Sequence, residues 1–150
     1  MNIYRQTRKV LGRSKWLTET AVMLAAARFL VKFIPFRYWH KTLGDIDSVS
    51  RQEKRLATSV EAGSEAALVG RWVRNTASKV PFKAVCLPQA MAARWMLTRR
   101  NISTQLFIGA RRDRDTKESQ FHAWLMHGEV CVTGQHERKE FQAFGQLDDF

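Results

Sequence analysis

After Asn101 the spacing of apolar residues changes, and that change restricts the available folds more than any other feature of the chain. Before it, apolar positions recur every three or four residues; beyond it, they alternate. Thr104 to Ala110 alternates around Leu106, Ile108 and Ala110, which predicts a half-buried strand. Gln120 to Met126 reads as a second strand, His127-Gly128 as a two-residue turn, and Glu129 to Thr133 as the returning strand. Arg111 to Ser119 holds no apolar residue and reads as a charged loop, and a last short strand is expected from Phe141 to Leu147. Helices first and antiparallel strands after describe an α+β domain.

The helical part has its own punctuation. Trp16 to Ile34 is the most apolar segment and stops at Pro35, which cannot continue a helix. Thr18, Ala21, Ala25, Arg28 and Lys32 share one face of it, and Val22, Met23, Phe29, Leu30, Phe33 and Ile34 the other. Two internal cations argue against a membrane-spanning helix. The segment is expected to pack on the domain, with a position on the membrane surface as the alternative for a basic amphipathic helix. Residues 2–15 are polar and basic and read as a short helix that Gly12 weakens. Ser50-Arg51-Gln52-Glu53 has the capping-box spacing that starts a helix, which Gly63-Ser64 is expected to break. A further helix follows from Ser64 to about Lys79, burying Val69, Trp72, Val73, Thr76 and Val80.

At 150 residues the chain fits one domain with its own core. Residues 1–44 form a basic amphipathic helical segment, 50–80 helices, and 81–150 a cysteine-bearing helix with antiparallel strands. The net charge is +11, and residues 1–44 carry nine Lys or Arg against one acid, Glu19. Such an excess favours anionic partners. No nucleic-acid motif accompanies it, so nucleic acid is not expected as a partner. Two cysteines are too few for a disulfide scaffold, and the first 20 residues carry no secretion signal, so a reducing cytoplasm is the expected compartment.

In that setting a cysteine is free to act as a thiol. Val85-Cys86-Leu87-Pro88-Gln89-Ala90 opens a helix, since proline fits a first turn that has no acceptor for its missing N–H. Cys86, Ala90, Ala93 and Leu97 form a small-residue stripe suited to close packing, and Arg99, Arg100 and Asn101 close the helix. A helix start offers N–H groups and partial positive charge, which favour a thiolate at Cys86 and could stabilise an oxyanion. His122, 36 positions later on the second strand, supplies a base. With His127-Gly128 as the turn, Thr133 lies opposite His122, Cys131 opposite Trp124 and Gln120 opposite Gln135. Those six residues share a polar face, and Phe121, Ala123, Leu125, Val130 and Val132 line the core. Metal binding is the competing use of Cys86, His122, His127, Cys131 and His136, but no pair stands at zinc-finger spacing and there is no CxxC or HExxH. Neither a metal nor another cofactor is expected, and His127 and His136 read as solvated turn residues.

These residues carry a resemblance. Pro81 to Ala90, Leu97 to Ile102, Leu106 to Arg111 and His122-Ala123-Trp124, with the helix ending in Ile34-Pro35-Phe36, resemble the transglutaminase-like leader peptidases of lasso-peptide biosynthesis. The resemblance implies a papain/transglutaminase-type fold and a Cys-His-Asp cysteine protease that removes the leader from a ribosomally made precursor peptide. It also implies a separate small leader-recognition protein and an ATP-dependent cyclase that takes the freed core. Cys86 matches the family nucleophile and His122 the base. The family's Asp, expected near 133 to 135, is absent: the chain has Thr133-Gly134-Gln135. Gln135 can supply an amide acceptor to orient the imidazole, Thr133 is a weaker alternative, and Asp148 or Asp149 could fold back. The missing acid leaves open a catalytically silent peptide-binding scaffold of the same fold. Acyl transfer to an amine is a further possibility.

Overall fold

A computed structural model describes residues 3–39, 41, 60–113, 118–136 and 141–143. Four helices come first: α1 (Ile3–Phe33), α2 (Phe36–Trp39), α3 (Val60–Ala77) and α4 (Cys86–Thr98). The strands follow as β1 (Gln105–Arg112), β2 (Ser119–His127), β3 (Val130–Thr133) and β4 (Gln142–Ala143). They make one antiparallel sheet in the order β3-β2-β1-β4. The α+β class and the helices-then-sheet order are those the change of period predicts. The expected capping box at 50–53 lies outside the described residues, as does the end of the expected last strand beyond Ala143.

The core is built around α4. Ala90, Met91, Ala92, Ala93, Met96 and Leu97 are all fully buried, so this helix is covered on nearly every side. α1 and α3 pack on it, as do β2 and β3. Three alanines in four residues let those elements approach closely, and each buried Met or Leu contributes about 1.5–3 kcal/mol of transfer free energy. The helix ends in a Schellman pattern: Ile102 N–H donates to Leu97 O and Asn101 N–H to Thr98 O, both at 3.0 Å. Asn101 takes the left-handed conformation this requires, with φ 56°. Arg100, just before it, ties the helices together. Its guanidinium donates to both carboxylate oxygens of Glu19 on α1, pairs with Glu65 on α3 at 3.3 Å, and lies 4.5 Å over the Trp16 ring.

The expected helix break at Gly63-Ser64 does not occur, and the expected weakening at Gly12 leaves its helix whole. α1 runs unbroken through Gly12, and α3 runs unbroken through Gly63-Ser64. A glycine costs a helix about 1 kcal/mol, which continuing hydrogen bonds and tertiary packing offset. Ala66, Val69 and Val73 are buried on α3, and so is Thr76. On α1 the buried positions are Thr20, Leu24 and Ala27, with Trp16, Met23, Leu30 and Val31, and Ile34 just beyond its end, partly covered. The helix therefore packs on the domain, but the expected apolar face is split. Val22, Phe29 and Phe33 stay exposed, because α3 and α4 cover a stripe turned away from them. No described helix is long and apolar enough to cross a membrane.

The hairpin register also differs from expectation. The turn is Gly128-Glu129, with Gly128 at φ 54°, so His127 pairs with Val130 and Met126 with Cys131. The pairing then shifts, placing Thr133 opposite Leu125 instead of His122. Val132 is the extra residue of this bulge, and its carbonyl accepts a 2.8 Å hydrogen bond from Arg74 Nη1 on α3. Ala123, Leu125 and Val132 face the core as expected. The face expected to be polar is instead covered by a second apolar cluster of Trp124 and Met126 with Phe107, Cys131 and Phe141. His127 is not a solvated turn residue: it ends β2, is buried, and its Nδ1 lies 2.6 Å from Ser103 O.

Candidate active site

The N-terminus of α4 opens onto a cavity. Val85 is extended (φ −73°, ψ −175°) and no side chain caps the helix. Gln89 N–H makes the first helical bond, to Val85 O at 3.2 Å, and its side-chain amide donates to Ala84 O at 2.7 Å, fixing the approach of the chain. Pro88 is buried in the first turn. The N–H groups of Cys86 and Leu87 thus belong to the set that a helix leaves without internal acceptors. Cys86 is half-buried at this end.

The cavity, about 590 Å³, is where the dispersed sequence signals meet. α4 and the residue before it contribute Cys86, Gln89 and Val85; β2 contributes Phe121 and His122. The segment after β3 adds Gly134, Gln135 and His136, and α3 adds Arg74. Cys86, His122 and Gln135 are therefore brought to one cavity. Thr133 is not: it is buried opposite Leu125, and its hydroxyl has no hydrogen-bond partner. Phe121, expected in the core, is 64% exposed at the cavity, because that end of β2 reaches past the cover of α4.

The imidazole of His122 is held on three sides. Its Nε2 lies 3.0 Å from the carbonyl oxygen of Gly134. A carbonyl can only accept, so this contact assigns a hydrogen to Nε2. The ring also stacks on Trp124, centroids 6.0 Å apart, and meets Phe141 at 5.1 Å. Gly134 has φ +80°, and a Cβ there would stand 2.7 Å from both Ala123 O and Trp124 Cβ. Only glycine brings the chain close enough to β2 for this carbonyl to reach the ring without strain. The Gly134 carbonyl and the two aromatic neighbours are what sequence reasoning missed. The signal present was Gly134 itself, placed where the family's Asp is expected.

Cys131 and His127 lie away from the cavity, and among the described residues no three His, Cys, Asp or Glu side chains converge as a metal site requires. The remaining arrangement is a thiol at a helix start and an oriented imidazole on an antiparallel strand. That combination defines an α+β domain of the cysteine peptidase and acyltransferase kind. The family comparison agrees: the model of the transglutaminase-like superfamily matches residues 30–146, and the chain belongs to that superfamily. No curated protein and no solved structure gives a match.

Proposed function

We propose that this chain is a cysteine peptidase that removes the leader from a ribosomally made lasso-peptide precursor, working with a separate small leader-recognition protein. The observation that carries it is the meeting of Cys86 and His122 in one cavity, with His122 Nε2 tied to a carbonyl. The thiol proton passes to Nδ1 of His122 as Cys86 Sγ attacks the scissile carbonyl. The N–H groups at the start of α4 stabilise the resulting oxyanion. The tetrahedral intermediate collapses to a thioester, and His122 returns the proton to the departing amine. Water, deprotonated by the same imidazole, then hydrolyses the thioester and frees the thiol. The Gly134 carbonyl takes the orienting role that an acid has elsewhere in the family, with Gln135 as a side-chain acceptor at the same cavity.

The resemblance of the Cys86 and His122 blocks supports the leader-peptidase assignment, and the freed core would pass to an ATP-dependent cyclase. The exposed Val22, Phe29 and Phe33 of α1, interspersed with Arg28 and Lys32, support a peripheral contact of residues 16–34 with an anionic membrane surface on the cytoplasmic side. Purified protein, the recognition protein and a cognate precursor are expected to release leader peptide, and Cys86→Ala to release none. Full cleavage by Cys86→Ala would end this reading. Transfer of the acyl group to an amine instead of water would show as an added mass on the product.

A further inference from the structure

The cavity contains a positive charge for which the chemistry above has no use. Arg74 reaches it from the last turn of α3, half-buried, and one of its five N–H donors is taken by Val132 O. No described Asp or Glu lines the cavity or pairs with Arg74. Gln89 and Gln135 are neutral amides, and the histidines there can add only positive charge. Arg74 is also given room: a Cβ on Gly70 would overlap the Val132 carbonyl and stand 3.3 Å from Arg74 Nη1. Glycine at 70 therefore lets α3 come close enough to the β3 bulge for the guanidinium to sit at the cavity wall. A partly desolvated guanidinium with no counter-charge among the described residues is matched by an incoming anion, and its planar fork fits a carboxylate.

We propose that Arg74 forms a carboxylate-binding subsite of this cavity, holding an acidic side chain or a chain-terminal carboxylate of a bound peptide beside the scissile bond. This rests on the reading of Cys86 and His122 as a peptidase pair. Exposed Val85 and Phe121 offer apolar walls to the same peptide, so the preferred substrate combines a carboxylate with apolar neighbours.

Alkylation of Cys86 by iodoacetate and by iodoacetamide, mapped by mass spectrometry to separate it from Cys131, tests the subsite. In both reactions sulfur displaces iodide and an S–C bond forms; the reagents are close in size and differ in charge. The iodoacetamide rate reads the nucleophile, and the iodoacetate-to-iodoacetamide ratio reads the cation beside it. Arg74→Gln is expected to lower the ratio roughly tenfold, the scale of one charge-assisted hydrogen bond; any slowing caused by losing the bond to Val132 O affects both reagents alike and cancels in the ratio. Arg74→Lys is expected to keep a raised ratio. An unchanged ratio in Arg74→Gln, or equal loss with both reagents, overturns the subsite. An iodoacetamide rate in the native chain no faster than that of an ordinary thiol overturns the peptidase reading instead. Should Arg74→Gln fail to fold, the native chain carries the test. N-acetylglutamate N-methylamide protecting Cys86 from iodoacetamide assigns a side-chain carboxylate, and N-acetylglycine protecting it assigns a terminal one. Protection by neither, or equal protection by neutral N-acetylglutamine N-methylamide, overturns the proposal.

Discussion

Replacing Gly134 by alanine tests the link between backbone geometry and the histidine. Two costs can be worked from the structure. An L side chain at φ +80° loses about 1–2 kcal/mol to the left-handed conformation. The new Cβ, 2.7 Å from Ala123 O and from Trp124 Cβ, adds an overpacking cost of roughly 1–3 kcal/mol, because both contacts belong to the β2 backbone or its first side-chain atom. Gly134→Ala is therefore expected to destabilise the chain by about 2–5 kcal/mol, a fall of roughly 4–20 °C in melting temperature for a domain of this size. Strain is relieved by moving residue 134 away from β2, which withdraws its carbonyl from His122 Nε2. Loss of that bond, worth about 1 kcal/mol, should slow alkylation of Cys86 by iodoacetamide several-fold near neutral pH. Gly134→Asn separates the two costs, since Asn tolerates positive φ but carries the same Cβ. A Gly134→Ala protein with the native melting temperature and the native alkylation profile would refute the assignment of the carbonyl as the orienting group.

Three further perturbations read other parts of the fold. Glu19 is held below the ordinary carboxylate range, first by the hydrogen bond from Arg100 and then by the charges of Arg100 and Arg99, against an opposing effect of burial. Its stabilisation is therefore complete above the unfolded carboxylate pKa, about 4.3, and is lost as pH falls through the lower folded value. Urea titrations should show Glu19→Gln about 1–2 kcal/mol less stable at pH 7, with the gap to the native chain closing at strongly acid pH; a gap independent of pH would contradict the pairing. Gly12→Ala should raise stability by about 0.5–1 kcal/mol, since a Cβ there meets nothing within 4 Å in a continuous helix, and thermal melting reads the sign. Phe141→Ala removes one wall of the imidazole, 5.1 Å away, and should slow Cys86 alkylation while leaving far-UV circular dichroism intact; an unchanged rate would remove Phe141 from the positioning set.

What could be read from the residues was whatever depends on near neighbours. Alternation placed β1 and β2, Pro88 placed the start of α4, and Cys86 and His122 followed from those two elements. What could not be read depends on partners far along the chain. The bulge at Val132 leaves no local trace; it is held by Arg74, 58 positions earlier, and it decides that Thr133 turns to Leu125. Phe121 alternates correctly with Ala123 and Leu125, yet whether it is covered depends on where α4 ends. The third partner of the histidine is the hardest case, because every residue carries a carbonyl and no letter of the sequence distinguishes the one that bonds. The bulge, the left-handed Gly134 and the Nε2 contact are successive steps of one backbone path, from Arg74 through Val132 to His122. The imidazole is therefore held without a carboxylate from residues 133–135. A rigid strand end can hold the same nitrogen, provided that glycine is kept where the path turns back onto β2.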